Sequence, residues 1–211
     1  MKTDRLDNFT DAAFAFAVTL LVIGGSEAPT SVAMLNAAVA EVPAFAIGFA
    51  VVAMFWTAHV RWRGFRGEGD WRSVLLSILL VFLVLIYVQP LRAMARSLST
   101  YLGGAGTPFS GYVGDLFLVY GAGFVAMAAT MAALFVDAQR NPALDAGMRH
   151  SLKGEVRIWL ILVATGLVSI LMTRFGAIAR FAPMVYATLP VSIGLFVWRW
   201  FGARAPAEPS E

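Results

Sequence analysis

The side chains that could do chemistry are few, and the first of them stand at the entrance to an apolar run. Residues 5–23 read RLDNFTDAAFAFAVTLLVI. If this stretch is helical, Asp7 and Asp11 share a face, being four residues apart. Both sit near the positive end of the helix dipole, which favours carboxylates, and Arg5 is close enough to join them. A second group comes later, in the run Phe55-Trp56-Thr57-Ala58-His59. Trp56 and His59 are three apart and share a helical face; an indole N–H and an imidazole can each donate to a carboxylate. Two readings are open for these groups. One is a capped, solvated helix start opposite an interfacial Trp and His. The other is a polar clamp joining Asp11 to Trp56 and His59, where a charge turned to lipid would be costly.

Enzyme chemistry finds no support. There is no Gly-rich phosphate loop, no HExxH and no GxSxG. Cysteine is absent, and His59 and His150 are too few and too far apart for a zinc centre. No catalytic residue, cofactor or resident metal is therefore expected. Glu155 and His150 are read as part of a cytoplasmic loop. An ion-coupled secondary transporter is the alternative to keep, because Pro183 and Pro190 are expected to kink the last apolar run. Against it, coupled carriers bury acids near mid-membrane, whereas Asp115 and Asp137 only bracket the fourth run. The linkers leave no room for a nucleotide-binding domain.

The elements that must position these residues follow from composition. Of 211 residues, 59% are hydrophobic and 14% charged, and mean hydropathy is +0.74. A soluble domain is about 45–50% apolar and about 25% charged, so the chain is read as an all-α membrane protein. A span needs roughly 20 apolar residues, and six runs qualify: about 6–25, 42–62, 71–94, 112–136, 156–172 and 178–201. Continuous runs favour helices over the ten-residue alternating segments of a barrel. A short amphipathic helix is expected at 32–40. Gly and Ala in the fourth run suit a helix buried among others. Residues 1–202 are expected to form one six-helix transmembrane domain, and 203–211 a disordered cytoplasmic tail. Acids at Asp4, Asp7 and Asp11 argue against a cleaved signal peptide, so the first run is expected to stay.

Orientation comes from the basic residues. Of the 16 lysines and arginines, only Arg92, Arg96, Arg174 and Arg180 fall on the side away from the ends. Both termini are therefore expected in the cytoplasm, and the basic pI needs no nucleic-acid partner. In the first run the long side chains Phe9, Phe16, Leu20 and Ile23 fall on one stripe with Thr19 beside them. Ala12, Ala13, Ala15 and Ala17 lie between, which suggests a small-residue side for tight packing and a bulky side elsewhere.

These residues resemble a known family. Arg5, Phe9-Thr10-Asp11 and the apolar helix after them are similar to the RxxxFSD motif that opens the transmembrane protein 175 family, the lysosomal-type potassium channels and their prokaryotic relatives. Trp56 to His59 resembles the family's second motif, WxxH. The sequence departs from the pattern at Thr10 (serine in the motif), Ala12 (often glycine), Phe16 (usually isoleucine or leucine) and Val60 (a second histidine). The resemblance implies a potassium-permeable, modestly selective cation channel of a prokaryotic plasma membrane, without a TVGYG filter. It implies a homotetramer in which the first helix of each subunit lines the pore. Phe16, Thr19, Leu20 and Ile23 would then form the constriction, with potassium passing transiently near Thr19. Arg5, Phe9, Thr10, Asp11, Trp56 and His59 would hold the pore helices in place. An apolar ring of this kind gates by dewetting.

Overall fold

The computed structural model describes residues 3–23, 30–102, 113–175, 178, 181–182 and 184–202. The described chain is helical, in the order α1 (Thr3–Ile23), α2 (Val32–Ala40), α3 (Val42–Arg66), α4 (Trp71–Leu102), α5 (Val113–Ala138), α6 (Ala146–Thr173), α7 (Met184–Ala187) and α8 (Leu189–Phe201). No strand occurs among the described residues. Helices α3, α4, α5 and α6, and the stretch Met184–Phe201, are long and apolar enough to cross a membrane. Helix α1 has 21 residues, but its first turns carry Arg5, Asp7 and Asp11, which sets it apart from those five.

Several boundaries differ from the sequence reading, each for a local reason. The fifth apolar run begins ten residues early. Asp145 caps α6, its Oδ1 accepting from the Met148 N–H at 2.7 Å, and polar residues then extend the helix below the apolar part. His150 and Glu155 are therefore helical, not loop residues. Helix α4 runs on to Leu102 through Pro90. The last run divides at Thr188, and Pro190 stands in the first turn of α8, where its missing N–H costs nothing. It opens a helix instead of kinking one. Pro183, residues 24–29 and the tail 203–211 lie outside the described residues.

Helix α5 is the hub, packed on α4 along one side and α6 along the other; α1 lies on α3 and α4, and α8 on α6. Small residues make this closeness possible. A Cβ on Gly123 would stand 2.4 Å from Tyr87 Cδ2, and one on Gly166 2.5 Å from Val125 Cγ2. In lipid, helices associate through such contacts because tails are as apolar as leucine. Met127, Ala128, Met131, Leu134 and Phe135 of α5 are fully buried. Helix α8 buries no residue and is held at its end instead: the Trp200 and His150 rings stack at 4.6 Å. Arg157 lies 3.7 Å over the Trp200 ring.

A polar knot closes the α3–α4 turn. Gly67 ends α3 at φ +65°, a conformation glycine takes without strain. Arg66 Nε donates to Asp137 Oδ2 at 2.9 Å, and Ser73 Oγ donates to the same oxygen at 2.8 Å. One carboxylate, 5% exposed, thus ties α3, α4 and α5 together. Asn141 adds a third strap, donating to the Phe65 carbonyl at 2.7 Å. Asp70 caps α4, accepting from the N–H groups of Arg72 and Ser73. Those bonds, the one from Ser73 first, hold its carboxyl below the ordinary carboxylate range.

Candidate functional site

Helix α1 is covered on one side only. Its inward row is Leu6, Thr10, Phe14, Ala17 and Leu21, all buried. The spacing of four, four, three and four residues is one helical face, and Phe14, Ala17 and Leu21 join the main core. Leu21 is fitted closely: a Cβ on Gly48 of α3 would come within 2.8 Å of Leu21 Cδ2. The opposite face is open. Asn8, Ala12, Ala15, Phe16 and Thr19 are exposed, Phe16 at 55%.

This corrects the expected division of α1 into a small side and a bulky side. Ala12 and Ala15 share the open face with Phe16, and the tight contact is made by Phe14, Leu21 and Ala17. Of the candidate constriction residues, Phe16 and Thr19 project from the open face. Leu20 sits at its margin, partly buried and packed on the core. Ile23 is the last residue of α1, and its side chain lies outside the described set. Thr19 Oγ1 donates to the Ala15 carbonyl at 3.0 Å. Its proton is thus used internally, and the oxygen keeps lone pairs to offer elsewhere.

The motif residues separate into two links. Trp56 Nε1 donates to Asp11 Oδ1 at 2.8 Å, joining α1 to α3 across 45 positions of sequence. His59 does not take part in that bond. It is 2% exposed, its Nε2 is 3.0 Å from Ser77 Oγ of α4, and its ring lies 4.9 Å from that of Trp62. Trp56 is half exposed and His59 buried, because a helix turns 60° short of a full circle over three residues. Thr10 Oγ1 donates to the Leu6 carbonyl at 2.9 Å, so the motif hydroxyl is satisfied within its own helix. Phe9 is 53% exposed. Arg5 is exposed, and no carboxylate of a described residue lies within ion-pair distance of it.

The arginine that does meet α1 is Arg63, whose Nε lies 2.8 Å from Asp7 Oδ1. The N–H is out of line for a hydrogen bond, so the contact is an ion pair. Sequence reasoning passed over Arg63 and Asn8. The signal for Arg63 was its place one turn beyond His59 on α3. Asn8 could have been found as the polar residue heading the Ala12, Ala15 and Thr19 row. Among the described residues no group of acids and histidines could hold a metal ion.

Residues 5–90, which cover α1 through most of α4, match the family described as endosomal/lysosomal potassium channel TMEM175. That match takes in 86 of the 211 residues, all in the first part of the chain. Within 100 aligned residues the chain is 39% identical to a potassium channel of Marivirga tractuosa, covering 47% of this chain. It matches only 40% of that relative's length. The fold reaches further than the sequence match. A crystal structure of a variant of the potassium channel MtTMEM175, bound to a nanobody–MBP fusion, superposes with a TM-score of 0.80 at 26% identity. That match covers 97% of this chain and 95% of that one. These relatives are channels and not enzymes, and they lend nothing to the coupled-carrier alternative. The TMEM175 match contains both polar links, Trp56 to Asp11 and His59 to Ser77, and the whole of the open face of α1.

Proposed function

We propose that the chain is a potassium-permeable cation channel of the plasma membrane, built from four copies around an axis lined by α1. In this reading α1 is a sixth span, both ends are cytoplasmic, and Phe16 and Thr19 face the conduction path. The observation that carries it is the open face of α1: a helix buried along Leu6–Leu21 leaves Phe16 and Thr19 uncovered on its far side. Lipid or a neighbouring copy could cover that face equally well for Phe16. Thr19, Asn8 and Asp11 on the same side favour water and ions over tails.

The mechanism follows from two side chains. Phe16 lies five residues, about 7–8 Å, beyond Asp11, and Thr19 about 4–5 Å further along α1. Four Phe16 rings make a greasy throat that holds no water until it widens, so ions wait on that widening. Four Thr19 oxygens beyond it offset part of the cost of stripping water from an ion. Potassium gives up its water more readily than sodium, so such a throat favours it. With few strong ligands, discrimination is modest compared with a carbonyl cage. Leu20 and Ile23 continue the apolar lining outward.

The test is flux in liposomes holding the purified chain. Potassium flux exceeding sodium flux is expected, with a permeability ratio that falls in Thr19→Ala under bi-ionic conditions. Saturable flux obligatorily coupled to a second ion, or none at all, would overturn the channel reading. An unchanged ratio in Thr19→Ala would remove Thr19 from the pathway.

A further inference from the structure

A cleft of about 250 Å³ opens between the end of α1, the α2–α3 corner and the later turns of α4. Leu21, Val22, Val42 and Phe45 supply apolar wall; Glu41, Arg92 and Arg96 supply charge. Arg96 Nε is 2.7 Å from Glu41 Oε2, so that carboxylate is already engaged. Arg92 is half-buried, and no carboxylate of a described residue lies within ion-pair distance of it. The lining thus keeps one positive charge more than it has negative. A guanidinium so placed favours a phosphate, which it can meet with two parallel hydrogen bonds.

Position along the helices says which phosphate. Arg92 is 21 residues past Trp71 on α4, a rise of about 31 Å. The hydrocarbon core is about 30 Å thick. With Trp71 at one boundary, Arg92 stands at the other, at the height of lipid headgroups. Phe45 lies four residues, about 6 Å, along α3 from Glu41 toward the middle of the span. Charge at headgroup height above an apolar wall matches an amphiphile. Inorganic phosphate would gain nothing from Leu21, Val22 and Phe45. The cleft is smaller than the roughly 300–1,000 Å³ of sites that enclose a whole drug-sized ligand, so it takes a headgroup and the start of one tail.

We propose that this cleft binds an anionic phospholipid, its phosphate on Arg92 and its first methylenes against Leu21, Val22 and Phe45. The proposal needs the chain to span a membrane and does not depend on the channel reading. A lipid seated there touches the end of α1 and the start of α3 together, bracing α1 on the side where α2 gives it little support.

The experiment uses the full chain purified in mild detergent, with thermal stability followed as phosphatidylglycerol, phosphatidylcholine or sodium phosphate is added. Phosphatidylglycerol is expected to stabilise at a half-saturating concentration about tenfold below that of phosphatidylcholine, whose phosphate also reaches Arg92 but brings a choline cation that repels the guanidinium. Sodium phosphate is expected to have no effect at matched ionic strength. Arg92→Gln should remove the preference, bringing the two lipids within about twofold of each other, and Arg92→Lys should restore part of it. If Arg92→Gln does not fold, Ala38→Trp, which fills the mouth of the cleft from an exposed position, should weaken phosphatidylglycerol by a similar factor. Equal response to the two lipids in the unmodified chain, stabilisation by sodium phosphate, or a preference surviving in every foldable variant would overturn the assignment.

Discussion

Trp56→Phe removes one hydrogen bond together with the pyrrole half of the indole. A benzene ring stays in place, and the N–H that reaches Asp11 Oδ1 at 2.8 Å is lost. A bond to a charged group contributes about 1.5–3 kcal/mol when sheltered. Trp56 is 40% exposed and Asp11 is exposed too, so water replaces part of the bond and the expected loss is about 1 kcal/mol per subunit. In a tetramer the loss recurs in each copy and comes to about 4 kcal/mol for the assembly. Asp11→Asn keeps an acceptor oxygen and should lose less; Asp11→Ala should match Trp56→Phe. The double variant Trp56→Phe, Asp11→Ala should be no worse than either single, giving a coupling energy of about 1 kcal/mol. The readout is thermal stability of the detergent-solubilised chain, with oligomeric mass on the same samples. A coupling energy below about 0.3 kcal/mol, within the scatter of independent sites, would show that the bond joining the two family motifs does not hold α1.

Three other perturbations test the frame around α1. Asp137→Ala takes the buried carboxylate from a part-buried Arg66, which keeps Asp70 at 3.6 Å, and should cost about 3 kcal/mol, the low end for breaking such a pair, whereas Arg66→Met with Asp137→Leu should regain most of it; both are read by thermal stability. Gly123→Ala places a Cβ 2.4 Å from the Tyr87 ring and should cost about 1–3 kcal/mol through overpacking between α4 and α5, with Gly123→Ala, Tyr87→Leu partly relieved in the same measurement. Asp70→Ala should cost about 1 kcal/mol as a lost helix cap. Because the Asp70 carboxyl is held below its ordinary value of 3.8, that contribution is present above this value. It disappears as pH falls through the lowered one, so the gap between Asp70→Ala and the unmodified chain should be constant near neutrality and close only in strong acid.

Length and hydropathy made the helices legible. The fourth run, expected at 112–136, is α5 at Val113–Ala138, and the short helix expected at 32–40 is α2 at Val32–Ala40. Helix ends were harder, because a span's polar extension has the composition of a loop. Residues 146–155 of α6 escaped for that reason, although the Asp145 cap was there to be read. The link from Trp56 to Asp11 was foreseeable, since one carboxylate and one indole N–H stood level in facing runs. The rest of the clamp was not. His59 had a hydroxyl nearer than any carboxylate, in Ser77 of a helix the motif does not touch. Arg66 and Asp137 pair across 71 positions, a choice that only helix packing makes. The covered face of α1 was hidden for a similar reason. Phe14 and Phe16 are the same residue two places apart, and size alone cannot say which is turned inward.

That pair supplies the sharpest contrast in the molecule. Phe14 is 3% exposed and Phe16 55%, on opposite sides of one helix. Phe14→Ala opens a void among α1, α3 and α4. In a bilayer the transfer part of the usual penalty is largely absent, since a tail solvates phenylalanine as well as a core does. The cavity part remains, about 2–3 kcal/mol of the ~3–5 kcal/mol typical of Phe→Ala. Phe16→Ala opens no void within the subunit, so it should cost less than about 0.5 kcal/mol of subunit stability, as surface changes do. If the open face lines a water path, Phe16→Ala widens the throat and raises cation leak into liposomes. Phe14→Ala, matched for chemistry and helix position, should lower stability and leave flux per folded channel near that of the unmodified chain. The two variants thus exchange effects: one moves the melting temperature, the other the conductance. Were Phe16→Ala to leave flux unchanged while Phe14→Ala altered it, the conduction path would lie on the α3–α4 side of α1, and the pore assigned to its open face would be wrong.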